Sequence, residues 1–152
     1  LDRFLMKTAI GYPDLEATIG VLSGLAERDR ATTVQAVVGG REVRQLRDIA
    51  RRVYVSEGLL AYLTRLAQET RSHPQVRLGL SVRGLLAYTH AAKAWAASRG
   101  RNYVIPDDLK DLAVPIMEHR LLLDADAQFD CVSTLDVIDE LFVRVPLPQR
   151  AA

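Results

Sequence analysis

The sequence predicts a mainly α-helical bundle with short strand-like links. Apolar residues recur at helical spacing along most of the chain, helix-start residues precede these segments, and glycine or proline interrupts them. The chain has 152 residues, of which 49% are hydrophobic and 26% charged. That length and composition suffice for one buried core in a globular domain. We therefore expect one compact domain, or one lobe of a larger one.

Six helices are predicted, each beginning at a start signal and carrying an apolar stripe. Pro13, Ser56, Ser81, Pro106 and Ser133 suit helix N-termini, and Gly100 suits a helix C-terminus. The stretches "VYV" and "LLL" are predicted to be short extended links, and "SHPQVRLGL" a loop. The helices are predicted over residues 13 to about 28, 41–52, 56 to about 71, 81–99, from 106 onward, and 133–142.

Composition narrows the possible classes of protein. The net charge is +1, so charge alone favours neither a nucleic acid nor a membrane surface as partner. No apolar run approaches the roughly 18 to 20 residues of a membrane span. Cys131 is the single cysteine, which excludes an intrachain disulfide and favours a reduced, cytoplasmic location. The three histidines are too scattered in sequence to predict a metal site: His73, His90 and His119.

The start of the fourth predicted helix departs from a local rule. Five of the predicted helices carry an acidic residue in the first turn, where the helix dipole favours negative charge. The helix that begins after Ser81 has Arg83 there instead, and no acid. One interpretation is a solvated arginine, tolerated at a cost of about 0.3–1 kcal/mol. The other is an anion site, where Gly79 and Gly84 would let a phosphate approach the backbone.

Several motifs, in order along the chain, resemble the lid of MoxR-type AAA+ ATPases. That family has a Gly-x-Ser-Pro-Arg segment that opens a helix, followed by Gly-Arg-x-Tyr-Val-x-Pro-x-Asp. This chain reads "GLSVR" and "GRNYVIPDD" at the matching places, with Val82 where the family usually has proline. The match also includes "LDRFLMK" and "GYP" near the start, the "VYVSEGLLAYLTRLAQETRSHPQVRLG" stretch, and "HRLLLDADAQFDCVSTLDVIDELFVRVPLP".

The resemblance implies a role for two arginines. Arg83 matches the family's sensor 2 arginine, which contacts the terminal phosphate of ATP from the lid, in cis or in trans. Ser81 would cap that sensor 2 helix. Arg3, in "LDRF", matches the arginine finger that reaches ATP bound by the neighbouring subunit. A guanidinium there would stabilise the negative charge that develops during phosphoryl transfer.

The resemblance also implies the architecture and the partners. Residues 1–12 would be the end of the ATPase core, 13–148 the helical lid and 149–152 a tail. The whole protein would bind ATP and Mg²⁺, assemble into a ring, commonly of six subunits, and act as a chaperone. Its clients would include proteins with von Willebrand A domains. No nucleic acid partner and no membrane span are expected.

The chain lacks the motifs with which the core of such an ATPase holds ATP. It contains no G-x-x-x-x-G-K-[ST] phosphate loop, and no apolar strand that ends in paired acids. We therefore expect the phosphate loop, Walker B and sensor 1 to lie upstream of Leu1, and this chain alone to be inactive. The alternative is a stand-alone helical module that binds protein or nucleic acid through the arginine-rich face of residues Arg41 to Arg52.

Overall fold

The computed structural model of the chain describes residues 2–25 and 34–147. Their contacts divide them into two compact units. One comprises residues 2–7 and 46–147, and the other residues 8–25 and 34–45. The predicted end of the first helix near Arg28 and the C-terminal tail 149–152 lie outside the described residues. The predicted domain boundary between residues 12 and 13 stays a prediction.

The prediction of a mainly α-helical fold is confirmed. In the described part of the chain, the helices contain residues that the apolar pattern had marked, and the two strands are two or three residues long. The elements in chain order are α1 Leu15–Gly20, a π-helical turn Val21–Leu25, α2 Gly40–Arg52, α3 Glu57–Ser72, β1 Val76–Leu78, α4 Val82–Ser98, α5 Pro106–Met117, β2 Leu122–Leu123, α6 Ala125–Phe129 and α7 Thr134–Arg144.

Side chains cap the helices at the predicted start signals. Ser56 Oγ accepts a hydrogen bond from the backbone N–H of Leu59 at 3.3 Å. Ser133 and Asp136 form a reciprocal capping box, in which each side chain accepts from the other residue's N–H, at 3.1 and 2.8 Å. These bonds satisfy N–H groups that the helix itself leaves without acceptors. The helix boundaries therefore follow from local sequence.

The core of the larger unit lies where α3, α4, α5 and α7 pack together. Each of these helices contributes side chains that are almost fully buried. Burial of a large apolar side chain stabilises the fold by about 1.5–3 kcal/mol, so these four helices account for most of its hydrophobic stabilisation. Large core side chains include Tyr62 and Leu66 of α3, Tyr88 of α4, Leu109, Ile116 and Met117 of α5, and Ile138 and Leu141 of α7.

One prediction about the links was wrong, one short helix was missed, and the two predicted extended links are present. The "VRL" stretch, predicted as part of a loop, forms β1 and pairs antiparallel with β2 of the "LLL" stretch. The short helix α6 was not predicted, although Asp124 caps it by accepting from Ala127 N–H at 2.7 Å. The extended "VYV" link is present, with Tyr54 paired to Tyr103 in an isolated bridge. None of the described helices is long and apolar enough to cross a membrane.

The turn between α4 and α5 is fixed by a glycine and an ion pair. Gly100 ends the α4 segment with φ of +71°, a conformation that glycine adopts without steric cost. Arg101 then donates two hydrogen bonds to the Asp108 carboxylate, at 2.8 and 2.5 Å. Asp108 also accepts from Ile105 N–H at 2.9 Å, at the start of α5. The predicted C-terminal role of Gly100 is therefore confirmed.

Candidate functional site

The first turn of α4 carries the residues that the sequence singled out. Ser81 is the N-cap, and its Oγ accepts from Gly84 N–H at 3.0 Å. Arg83 lies in the first turn, is exposed, and forms no ion pair with any described residue. Among the seven described α-helices, α4 alone has no acidic residue in its own first turn. The anomaly predicted from sequence is therefore real.

The segment that precedes Ser81 is held against the end of α3. Thr70 Oγ accepts from Leu80 N–H at 2.9 Å, and Arg71 Nε donates to the Leu80 carbonyl at 2.8 Å. A Cβ on Gly79 would lie 2.7 Å from the backbone of Thr70 and Arg71. Glycine is therefore required for the chain to pass this close to α3, and this contact fixes where α4 begins.

The two glycines near Arg83 accommodate the protein's own atoms. The interpretation that Gly79 and Gly84 leave space for a ligand is wrong, because a Cβ at Gly84 would lie 2.6 Å from Leu80 and 3.2 Å from Arg120. Gly84 is buried in this packing. The anion hypothesis for this turn therefore depends on Arg83 and the helix N-terminus, and not on the glycines.

An acidic residue does lie at the start of α4, but it comes from the other end of the sequence. Asp2 Oδ2 accepts a hydrogen bond from Ser81 Oγ at 2.9 Å, across a separation of 79 residues. The acid that the first turn of α4 lacks in its own sequence is therefore supplied to the N-cap by a distant residue. Asp2 interacts with the N-cap, whereas no described residue pairs with the Arg83 guanidinium.

Arg120 holds the other oxygen of the Asp2 carboxylate. Arg120 Nε lies 3.1 Å from Asp2 Oδ1, and the Arg120 side chain is only 2% exposed. Its guanidinium also donates to the carbonyls of Phe4, Leu5 and Ile116. A buried guanidinium needs both a countercharge and acceptors for its N–H groups. Arg120 therefore attaches the 2–5 segment to the end of α5.

Arg3 lies within this attached segment. It is exposed and forms no ion pair with the described residues, while the residues on either side of it are held. Further along, Lys7 N–H donates to the Pro115 carbonyl at 2.8 Å, and Lys7 Nζ lies 3.0 Å from Glu118. The structure thus brings the Arg3 segment to the N-cap of α4, although the two are far apart in sequence.

Sequence reasoning missed the two residues that join the 2–5 segment to the start of α4 and the end of α5. Asp2 stands in "LDRF" and Arg120 in "HRLLL", and both motifs were used for the resemblance, but neither residue was given a role. The position of Arg120 after a helix end suggested only a favourable dipole interaction. Pairing between residues 118 positions apart leaves no periodic signal in a single sequence.

The arginine-rich face of residues Arg41 to Arg52 is helical, as predicted. The three large apolar residues of this helix are exposed in the described chain, with Val43 at 53%, Leu46 at 57% and Ile49 at 56%. Arg47 and Arg51 share Asp48 as a carboxylate neighbour, at 3.7 and 3.8 Å. A shallow cavity of about 340 Å³ lies beside α2, lined by Arg47, Ala50, Arg51, His90, Lys93 and Ala94.

Neither a metal site nor a cysteine nucleophile is found among residues 2–25 and 34–147. No group of three His, Cys, Asp or Glu side chains there is placed to hold a metal ion. His73 lies 3.2 Å from Glu140, and His119 lies 3.3 Å from the Phe4 carbonyl. Cys131 is exposed, and its Sγ donates to the Phe129 carbonyl at 3.9 Å.

Comparison with known proteins identifies the class of this fold. The AAA lid domain family matches residues 68–141, which run from within α3 to the last turns of α7. A crystal structure of a candidate ATPase from Cytophaga hutchinsonii superposes with a TM-score of 0.85 at 29% identity. That superposition covers 97% of this chain and 48% of the other. The fold is therefore that of an AAA+ ATPase lid.

Several curated proteins are similar to this chain. The chain is 35% identical to YeaC of Bacillus subtilis over 153 residues, which cover 100% of this chain and 48% of YeaC. Chaperone MoxR1 of Mycobacterium tuberculosis is 33% identical over 159 residues, which cover 97% of this chain and 41% of MoxR1. Protein MoxR of Paracoccus denitrificans is 27% identical over 167 residues, which cover 97% of this chain and 49% of that protein.

The chain is similar to MoxR-type AAA+ ATPases, and the family match falls on their lid domain, as its motifs predicted. It spans about half the length of the curated relatives it matches.

Proposed function

We propose that this chain is the nucleotide-responsive lid of a longer AAA+ ATPase, with Arg83 as its sensor 2 residue. One observation carries the proposal: Arg83 is an exposed guanidinium at the N-terminus of α4, without an ion-pair partner among the described residues. A phosphate fits this position, because the helix N-terminus and the arginine both favour negative charge. Loss of the terminal phosphate then removes a contact that favours the closed lid.

Arg3 is proposed as the arginine finger of the same protein. It is exposed, and the residues beside it are bound to Arg120, so its backbone is ordered while its side chain is accessible. A guanidinium that reaches the phosphate of the neighbouring subunit would stabilise the charge that develops there, which contributes roughly 10³–10⁵-fold to kcat in proteins with such a residue. This role requires self-association into a ring.

The remaining requirements for catalysis would come from outside this chain. The sequence has no phosphate loop, and the described residues contain no group that could hold a metal ion. In the whole protein, Mg²⁺ would neutralise phosphate charge, and the core would hold it together with ATP. We expect this whole protein to act in the cytoplasm as a chaperone, the role in the name of MoxR1, on clients that include von Willebrand A domain proteins.

The test is steady-state ATP hydrolysis by the longer protein that contains this chain, with Arg83→Ala compared with wild type. We expect kcat to fall roughly 100-fold while ATP still binds, as when one donor that stabilises transition-state charge is removed. Arg65→Ala is the matched control, because Arg65 is an exposed arginine whose described hydrogen bond is to its own helix, at 3.4 Å from Nε to the Ala61 carbonyl. Unchanged turnover in Arg83→Ala would reject the sensor 2 assignment.

A second function is favoured by the exposed apolar stripe of α2. A stand-alone binding module would use the arginine-rich face of residues Arg41 to Arg52, together with this stripe, to bind protein or nucleic acid. Binding of a DNA duplex by this chain, with an affinity that falls steeply as salt rises, would support that function. If the chain binds no DNA even at low salt, a nucleic-acid-binding function is excluded.

A further inference from the structure

The Asp2 carboxylate connects the surroundings of both proposed functional arginines. Its two oxygens have different partners, with Ser81 Oγ at 2.9 Å and Arg120 Nε at 3.1 Å. Asp2 immediately precedes Arg3 in the chain, and Ser81 lies two residues before Arg83. One side chain therefore connects the backbone that carries Arg3 to the helix end that carries Arg83.

Arg120 makes this connection specific. Its guanidinium is buried, and Asp2 is its carboxylate partner among the described residues. Separation of a buried guanidinium from its countercharge is costly, so Asp2 is strongly held in this position. Arg120 also packs under the first turn of α4, since its Cδ lies 3.2 Å from where a Gly84 Cβ would be. A shift of this turn would therefore displace the Arg120 side chain as well as Asp2.

We propose that Asp2 is a positioning residue that couples the start of α4 to the Arg3 finger. The proposal rests on the proposed function, because it assumes that Arg83 and Arg3 both contact ATP phosphates. When the lid moves on loss of phosphate, Ser81 and Arg120 carry Asp2 with them, and the backbone of Arg3 moves with Asp2. If Arg3 serves the neighbouring subunit, this connection passes the nucleotide state of one site to the next.

A second contact holds the same segment without reaching either arginine. The Lys7–Glu118 ion pair ties the N-terminal segment to the end of α5, and its side chains are 58% and 32% exposed. Exposed pairs of this kind contribute little to stability. Lys7→Gln therefore serves as a matched control, which loosens the segment but leaves the Asp2 connection intact.

The experiment measures kcat and KM for ATP in the longer ATPase, comparing wild type, Asp2→Asn, Arg3→Ala, the double variant of these two, and Lys7→Gln. We expect Asp2→Asn to lower kcat roughly 10- to 100-fold with little change in KM, as for a misplaced catalytic group. Because Asp2 acts through Arg3, Asp2→Asn should cause no further loss when Arg3 is already alanine. Lys7→Gln should retain wild-type kcat.

Two results would overturn the coupling. One is wild-type kcat in a folded Asp2→Asn protein. The other is a loss of kcat in the double variant equal to the product of the two single losses, which indicates independent roles. If Asp2→Asn does not fold, Ser81→Gly decides instead. Glycine retains most N-cap stability but removes the hydroxyl that binds Asp2, so a lowered kcat supports the coupling and an unchanged kcat rejects it.

The same set, extended by Arg83→Ala, separates the two proposals. If Arg3→Ala and Arg83→Ala both keep wild-type turnover, the proposed function fails, and the coupling fails with it. If those variants lose turnover but the folded Asp2→Asn protein keeps it, the proposed function stands and only the coupling is wrong.

Discussion

At the scale of single residues, the two buried tyrosines of the core differ in one hydrogen bond. Tyr88 of α4 donates from its hydroxyl to the Leu109 carbonyl of α5. Tyr62 of α3 is equally buried, but its hydroxyl has no partner among the described residues. Burial raises the pKa of both phenols, so each remains a neutral hydroxyl at neutral pH.

We expect Tyr88→Phe to destabilise the bundle and Tyr62→Phe to leave its stability unchanged or slightly increased. The first substitution removes a buried hydrogen bond, which contributes about 1 kcal/mol. The second removes a buried hydroxyl that no described residue satisfies, so no bond within the described chain is lost. Thermal unfolding of the two variants, followed by circular dichroism, measures the difference. Equal destabilisation by both would show that the Tyr88–Leu109 bond does not contribute to stability.

At the scale of elements, the start of α4 depends on the close passage of Gly79 over the end of α3. The contacts are to backbone atoms of Thr70 and Arg71, which are held within the helix. A helix terminus cannot yield as a flexible side chain does. A larger residue at position 79 would therefore displace the chain just before Ser81.

We expect Gly79→Ala to lower stability by about 1–3 kcal/mol, the usual cost of overpacking. It should also lower the ATPase kcat of the longer protein, since the Leu80 contacts that precede Ser81 and Arg83 are disturbed. Gly20→Ala is the matched control, because a Cβ there meets no atom of the described residues within 4 Å. Urea unfolding and turnover of both variants test this, and a Gly79→Ala protein as stable as Gly20→Ala would contradict it.

At the scale of the whole molecule, the stability of the larger unit depends on the Arg101–Asp108 ion pair and therefore varies with pH. Burial disfavours the Asp108 carboxylate, but hydrogen bonds from Arg101 and from Ile105 N–H outweigh this effect and hold the pKa of Asp108 below its usual value. Its unfolded pKa is about 3.9. Because the native pKa is lower than the unfolded pKa, the charged Asp108 stabilises the fold fully above the unfolded pKa. This stabilisation is lost as pH falls through the native pKa.

We expect Asp108→Asn to be less stable than wild type at pH 7, by about 3 kcal/mol, because it removes the buried partner of Arg101. The difference in Tm should narrow as pH falls below about 4, because the unfolded carboxylate takes up a proton there before the native one does. Asp139→Asn is the control, because Asp139 is an exposed acid that forms no ion pair with the described residues. A Tm difference that stays constant from pH 7 to pH 3 would contradict this account.

The sequence by itself determined the helices, their caps and the family. Ser56, Ser81, Ser133 and Gly100 act within a few residues of their own positions, so a local pattern is enough to predict them. The "GLSVR" and "GRNYVIPDD" motifs carried the resemblance that the comparisons confirmed. The sequence also identified α4 as the helix whose first turn has an arginine where the others have acids.

Only the tertiary structure decided how the candidate site is held together. Asp2 reaches Ser81 and Arg120 across 79 and 118 residues, and Gly79 and Gly84 make room for the protein rather than for a ligand. The pairing of β1 with β2 likewise joins segments more than 40 residues apart. Such contacts depend on how distant elements pack, and a hydrogen bond between two distant side chains leaves no spacing or periodicity in the sequence.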